Sequence, residues 1–156
     1  MIAISNTSPL ILLDKVDCLW ILGKLFEKVY ISASVNKEWL RPGDYITPQW
    51  VTMSDLDTKA ISMAEEMSQW MDKGEADTIA LSSAIKADFL LIDDLKARKH
   101  AKILGLQITG TVGVLVVANR KGLIAEIKPL LEELKKHRFY ISEDIYAEAL
   151  KLCSEE

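Results

Sequence analysis

Short β-branched or aromatic runs alternate along this chain with longer stretches whose apolar residues recur every three or four positions, and this alternation constrains the fold most. Ile2 to Ile4 form the first run, which stops at Asn6-Thr7-Ser8-Pro9, and a helix-like pattern follows through Leu10, Leu13, Val16, Leu19 and Leu22. Val29-Tyr30-Ile31 repeats the strand. Ser34 is then expected to cap a helix carrying Val35, Glu38 and Trp39, which Pro42-Gly43 breaks. A further helix is expected between Thr58 and Asp72, from the apolar positions Ile61, Met63, Ala64, Met67, Trp70 and Met71.

After Gly74 a helix reads from Glu75 to about Lys86, with Ala76, Ala80 and Ala84 small enough for close packing on a sheet. Asp88 to Ile92 forms an apolar strand ending at Asp93-Asp94; Leu95 to Leu104 reads as helix and Gln107 to Thr109 as strand. Helices are also expected over Gly113–Asn119, Pro129–Lys136 and Asp144–Cys153. Strands alternating with helices in this way imply a parallel sheet covered on both faces.

With 156 residues, 49% of them apolar, the chain is long enough for one domain with a proper core. Its net charge of -4 argues against a surface devoted to phosphate, so any nucleic-acid contact is local. Cys18 and Cys153 lack the spacing of a zinc site or a disulfide framework. No basic leader and no apolar run of membrane-spanning length appears, so a cytoplasmic location and no membrane contact are expected.

Ligands of open parallel sheets bind beyond the carboxyl ends of the strands. Asn6 follows the first strand and Asp93 and Asp94 a later one, while Glu38 and Asp77 lie near helix starts that overhang the same edge. Oxygen donors of this kind suit a hard divalent cation, which keeps several of its waters and can activate one for phosphodiester hydrolysis. Glu75 and Asp77 are two apart and do not share a helix face. Asp77 is preferred from the small-residue face, and Glu75 is secondary. Thr7 and Ser8 are read as hydroxyls that orient a ligand or cap the next helix.

Four segments in order, Ser5-Asn6-Thr7-Ser8-Pro9-Leu10, Gly74-Glu75-Ala76-Asp77-Thr78-Ile79-Ala80-Leu81, Leu91-Ile92-Asp93-Asp94 and Thr109-Gly110-Thr111-Val112-Gly113-Val114-Leu115, together resemble a PIN domain. More closely, the chain resembles the DUF3368 branch, related to the toxin nucleases of VapBC toxin–antitoxin pairs. The likeness covers most of the chain, through Gly122-Leu123-Ile124 and Lys128-Pro129-Leu130-Leu131. It implies a three-layer α/β/α fold with a central, mostly parallel sheet, in a single domain over 1–156 with a helical C-terminal extension from about residue 122. It also implies an acidic cluster that binds Mg²⁺ or Mn²⁺ and cleaves single-stranded RNA, with a small antitoxin partner and a homodimer. The family's four acids fall on Asn6, Glu38, Asp77, and Asp94 or, in second place, Asp93. Asn6 departs from the pattern, since an amide coordinates through oxygen but brings no negative charge.

Each feature has a plainer reading. Asn6-Thr7-Ser8 serve equally as a helix cap, Glu75 and Asp77 as acids favoured by a helix N-terminus, and Asp93-Asp94 as an N-cap pair. Lys96, Arg98, Lys99, His100 and Lys102 form a basic cluster that fits RNA phosphates, or a solvated helix face. His100 and His137 have no sequence partner marking a triad or zinc site. The Met and Trp positions between Met53 and Met71 fit core packing or, if exposed, an interface. The alternative to a nuclease is a weakened PIN-like module that binds RNA or a protein without cutting. A receiver-type or phosphatase-type domain ranks last, because Asn6 stands where a nucleophilic aspartate is needed.

Overall fold

The computed structural model describes residues 1–39 and 46–155. Five strands run through it: β1 (Ile2–Ser5), β2 (Lys28–Ile31), β3 (Val51–Met53), β4 (Phe89–Leu91) and β5 (Ile108–Thr109). All neighbours pair in parallel, in the order β3-β2-β1-β4-β5. The helices among the described residues are α1 (Thr7–Lys15), α2 (Trp20–Leu25), α3 (Ala33–Glu38), α4 (Thr58–Met67), α5 (Lys73–Ile85), α6 (Leu95–Ile103), α7 (Thr111–Arg120), α8 (Lys128–Lys136) and α9 (Glu143–Leu152).

Strand alternation divides the interior into two cores. Ala3, Val29, Ile31 and Leu91 point to one side, where they join apolar residues of α1, α2, α3, α7, α8 and α9. Ile4, Leu90 and Ile92 point to the other, against α4, α5 and α6. Because both faces are covered, β1 is buried along nearly its whole length, which accounts for its unbroken Ile-Ala-Ile reading. The result is the three-layer α/β/α sandwich expected. No helix among the described residues is long and apolar enough to cross a membrane. Cys18 and Cys153 are free thiols.

Several boundaries differ from the sequence reading for identifiable reasons. The expected long helix from Leu10 to Leu22 is two helices, because Asp17 adopts φ 56° and the Cys18 amide folds back to the Leu13 carbonyl at 2.7 Å. That is a left-handed helix stop, and Asp tolerates it better than most residues. The cap of α3 is Ser32, not Ser34: the Val35 amide donates to Ser32 Oγ at 3.1 Å. Likewise α5 starts before Glu75, because Asp72 accepts from the Glu75 amide at 2.9 Å. β3 has no counterpart in the sequence reading. It is a three-residue edge strand with only Val51 buried, too short for its alternation to register. The expected break at Pro42-Gly43 lies outside the described residues.

Candidate active site

The strand order reverses at β1. From it the chain moves outward to β2 and β3, then returns to lay β4 and β5 on the other side. The ends of β1 and β4 therefore flank a switch point, where an open parallel sheet leaves a crevice between diverging connections. Asn6 and Asp93 each lie two residues or fewer past these strand ends, and the Asn6 amide donates to the Leu91 carbonyl at 2.9 Å. Asn6 is buried and forms the N-terminal boundary of α1, but its side chain makes no capping bond.

The hydroxyls after Asn6 reach acids from other elements. Thr7 Oγ1 donates to Glu38 Oε2 at 2.6 Å, and Ser8 Oγ donates to Asp93 Oδ2 at 3.1 Å. Glu38 is exposed, and it also lies against Gly74, where an added Cβ would come within 2.6 Å of Oε1. Asp93 is fixed further by the start of α7: the Thr111 amide donates to Oδ1 at 2.8 Å and the Thr111 hydroxyl to Oδ2 at 2.7 Å. Asp94 does different work. Its Oδ2 accepts the Ala97 amide at 2.9 Å and caps α6.

Glu75 and Asp77 separate as their spacing requires. Asp77 is 5% exposed; the Ser34 hydroxyl donates to its Oδ2 at 2.6 Å, and the Lys73 ammonium lies 3.2 Å from the same oxygen. It also lines a crevice with Leu56, Ile61 and Ala64, so its carboxylate is engaged where α3, α4 and α5 meet. Glu75 sits in the first turn of α5 with its carboxyl pushed up to about 7. Burial is the main cause, followed by the charges of Asp72 and Asp94. Sequence reasoning gives no role to Asp72 or Thr111, and expects Ser34 as a helix cap rather than as a partner of Asp77. The D-x-x-E spacing of Asp72 and Glu75, a helix-start signature, was the available signal for the first.

Lys96 and Lys99 are exposed on α6, and Arg98 is half-buried. Arg98 and Asp93 line one end of a cleft of about 850 Å³, whose walls otherwise include Val112, Val117 and Tyr140. Asp144 and Glu148 also line it.

The donors around the switch point are all oxygens: the Asn6 amide and the carboxylates of Glu38, Asp72, Glu75, Asp93 and Asp94. Among the described residues no three acids or other ligand residues are grouped tightly enough to share one ion. Mg²⁺ is commonly held by only one or two carboxylates, with waters completing its shell. The chemistry of this donor set, all oxygens, fits a hard divalent metal, and a cation would also relieve the repulsion that Asp72 and Asp94 add to the burial of Glu75.

A three-layer parallel fold with carboxylates at its switch point places the chain among the α/β domains that bind ligands beyond their strand ends. A family model described as a PIN domain, DUF3368, matches residues 2–155, and the chain belongs to that family. PIN domains are in general divalent-metal dependent, and membership suggests RNA binding. Searches of curated proteins and of solved structures find no match.

Proposed function

We propose that this protein is an endoribonuclease that hydrolyses phosphodiester bonds of single-stranded RNA with Mg²⁺ or Mn²⁺. The observation that carries this reading is the pair of hydroxyl–carboxylate links, Thr7 to Glu38 and Ser8 to Asp93, which aim two acids from distant segments at the sheet's switch point. A bound divalent cation supplies Lewis-acid activation of water and neutralises charge developing on the phosphate.

The chain's own residues bind and orient. Glu38 and Asp93 are held by donors on their own oxygens, so each meets a cation without first surrendering rotamer freedom. Asn6, buried at the end of β1, adds an amide oxygen. Glu75, crowded by Asp72 and Asp94, is the better cation-facing acid of α5, and Asp77, engaged by Ser34 and Lys73, anchors α3 to α5. Asp94 keeps one oxygen beyond its cap for a cation or its water. Lys96, Arg98 and Lys99 are the cations available to RNA phosphates. Likeness to the VapBC toxins adds a small antitoxin partner, a homodimer and a cytoplasmic setting, and treats 1–156 as one domain with a helical extension from about residue 122.

The test is cleavage of a mixed single-stranded RNA panel with Mn²⁺, with Mg²⁺ and with EDTA, run beside Glu38→Gln, Glu75→Gln and Asp77→Asn. Metal-dependent cutting lost in Glu38→Gln and Glu75→Gln is the expected result. Undiminished cutting by folded Glu38→Gln refutes the site. Asn6 favours one second reading, a module that binds without cutting, because an amide there leaves the site with one negative charge fewer than a carboxylate would. In that case the parent is inert and Asn6→Asp creates activity.

A further inference from the structure

We propose that Trp70 and His100 form a stacking platform for an unpaired base of single-stranded nucleic acid, with Lys96 and Lys99 beside it for the adjoining phosphates. The proposal rests on the RNA reading above and adds a residue pair to which that reading gives no role.

Trp70 lies in the turn between α4 and α5 and is 47% exposed, so its ring is accessible. Its ring meets the half-buried His100 of α6 at 6.4 Å between centroids, tilted by 48°. This contact joins the turn that leads into Asp72 to the helix that follows Asp94. Trp70 is two residues before Asp72, the cap of α5, and His100 is six residues after Asp94, the cap of α6. The charges of Asp72 and Asp94 both act on Glu75, so the two helix starts lie side by side.

His100 is about 9 Å along α6 from Asp94 at 1.5 Å per residue, a span of under three stacked nucleotides at about 3.4 Å each. A strand with its scissile phosphate at the carboxylates thus reaches the platform within a few nucleotides.

The chemistry on α6 favours nucleic acid. Lys96 is four residues before His100 and shares its face, Lys99 is adjacent, and both are exposed. An exposed aromatic ring flanked by ammonium groups is how sequence-tolerant single-strand binders hold a strand: every base has a π-face, and the cations track the backbone. The neighbouring acids Asp72, Glu75 and Asp94 oppose the phosphates until a divalent cation neutralises them. Binding at the platform is therefore expected to strengthen with Mg²⁺.

The experiment is a titration of the full chain with a fluorescein-labelled single-stranded RNA 12-mer in Mg²⁺, read by anisotropy, with the oligomer checked for integrity after each point. Tryptophan emission is recorded alongside, and cleavage of the same oligomer is followed separately for KM and kcat. Trp70→Ala is expected to weaken binding by about 5- to 150-fold, the range for one lost base–aromatic stack. KM rises accordingly and kcat at saturation is unchanged. Trp70→Phe keeps affinity within about threefold but loses most of the emission quenching, since a stacked ring remains without the reporting indole. Lys96→Gln with Lys99→Gln lowers the slope of log affinity against log salt by about 1.4, at about 0.7 per phosphate contact. Trp20→Ala, on an exposed tryptophan at the start of α2, leaves affinity unchanged.

Equal binding by parent and Trp70→Ala, with cutting intact, overturns the platform and leaves the nuclease reading standing. No binding of single-stranded RNA by the parent overturns both. Loss of self-association in Trp70→Ala with RNA affinity unchanged also overturns it, and assigns the ring to a protein contact.

Discussion

The hydroxyl of Thr7 donates to Glu38 Oε2 at 2.6 Å, joining the residue that opens α1 to the last residue of α3. Thr7 is buried and Glu38 exposed, so the bond draws an otherwise free carboxylate inward to the sheet edge. Thr7→Val removes the donor while keeping the shape. It is expected to lower cleavage about tenfold and to cost about 1–2 kcal/mol in urea unfolding, the low end of the range of about 1.5–3 kcal/mol for a hydrogen bond to a charged group, because Glu38 is exposed. Thr7→Ser keeps the hydroxyl and restores most of the activity. Equal activity of the Val and Ser variants argues that Glu38 needs no such support.

Glu75 lies near 7 in the folded chain, against an ordinary 4.5. The folded state therefore holds more protons than the unfolded state between these values, and stability falls as pH rises from about 4.5 to about 7. The deficit then persists at higher pH. Glu75→Gln removes it, and after allowance for solvent screening this variant is expected to be more stable than the parent by about 1 kcal/mol at pH 8 and equal to it at pH 4. Mg²⁺ shrinks the pH 8 difference by offsetting the same repulsion. Thermal unfolding at the two pH values, with and without Mg²⁺, measures all of this; a variant less stable at pH 8 contradicts the crowding argument.

Asp77 is held by Ser34 on α3 and by Lys73 on its own helix, so its substitution acts on stability more than on cleavage. Ser34→Ala leaves a buried carboxylate short of a donor and is expected to cost about 1–3 kcal/mol. Lys73→Ala costs much less, within about 0.5 kcal/mol, because the Lys73 side chain is 78% exposed and its ion pair is screened. Chemical denaturation of the three variants beside their cleavage rates separates the roles. Asp77→Asn that keeps its stability and loses all cutting transfers Asp77 to the cation site.

The layer order was legible from periodicity because each face of the sheet imposes its own pattern: Ala3 and Leu91 read to one core, Ile4, Leu90 and Ile92 to the other. Asn6, Glu38 and Asp93 were legible too, as polar residues at strand or helix ends. What the sequence hid was how acids divide labour. Asp93 and Asp94 are adjacent and chemically alike, yet one is bound by Ser8 and Thr111 and the other caps α6. That difference depends on where α7 begins, 18 residues later. The small-residue face of α5 favours Asp77 over Glu75. A helix read from Glu75 leaves Asp72 outside it, whereas the folded chain uses Asp72 as the cap of α5, and Ser34, expected as a cap, binds Asp77 instead.

Gly74 provides the sharpest separation of site from fold. It lies in the first turn of α5, where alanine is favoured over glycine by about 0.5–1 kcal/mol. An alanine Cβ there would stand 2.6 Å from Glu38 Oε1 and 3.3 Å from its carboxyl carbon. The obstructing atoms end a flexible, exposed side chain, so the conflict is resolved by Glu38 swinging away rather than by the helices moving apart. Gly74→Ala is therefore expected to leave stability unchanged or slightly raised, to break the Thr7–Glu38 bond, and to lower cleavage and Mn²⁺ affinity about tenfold. Isothermal titration with Mn²⁺ and thermal unfolding on the same sample test both halves. Gly74→Ala with parental Mn²⁺ affinity means that Glu38 does not face the cation, whereas a large loss of stability means that the α3–α5 contact, not the carboxylate, requires the glycine.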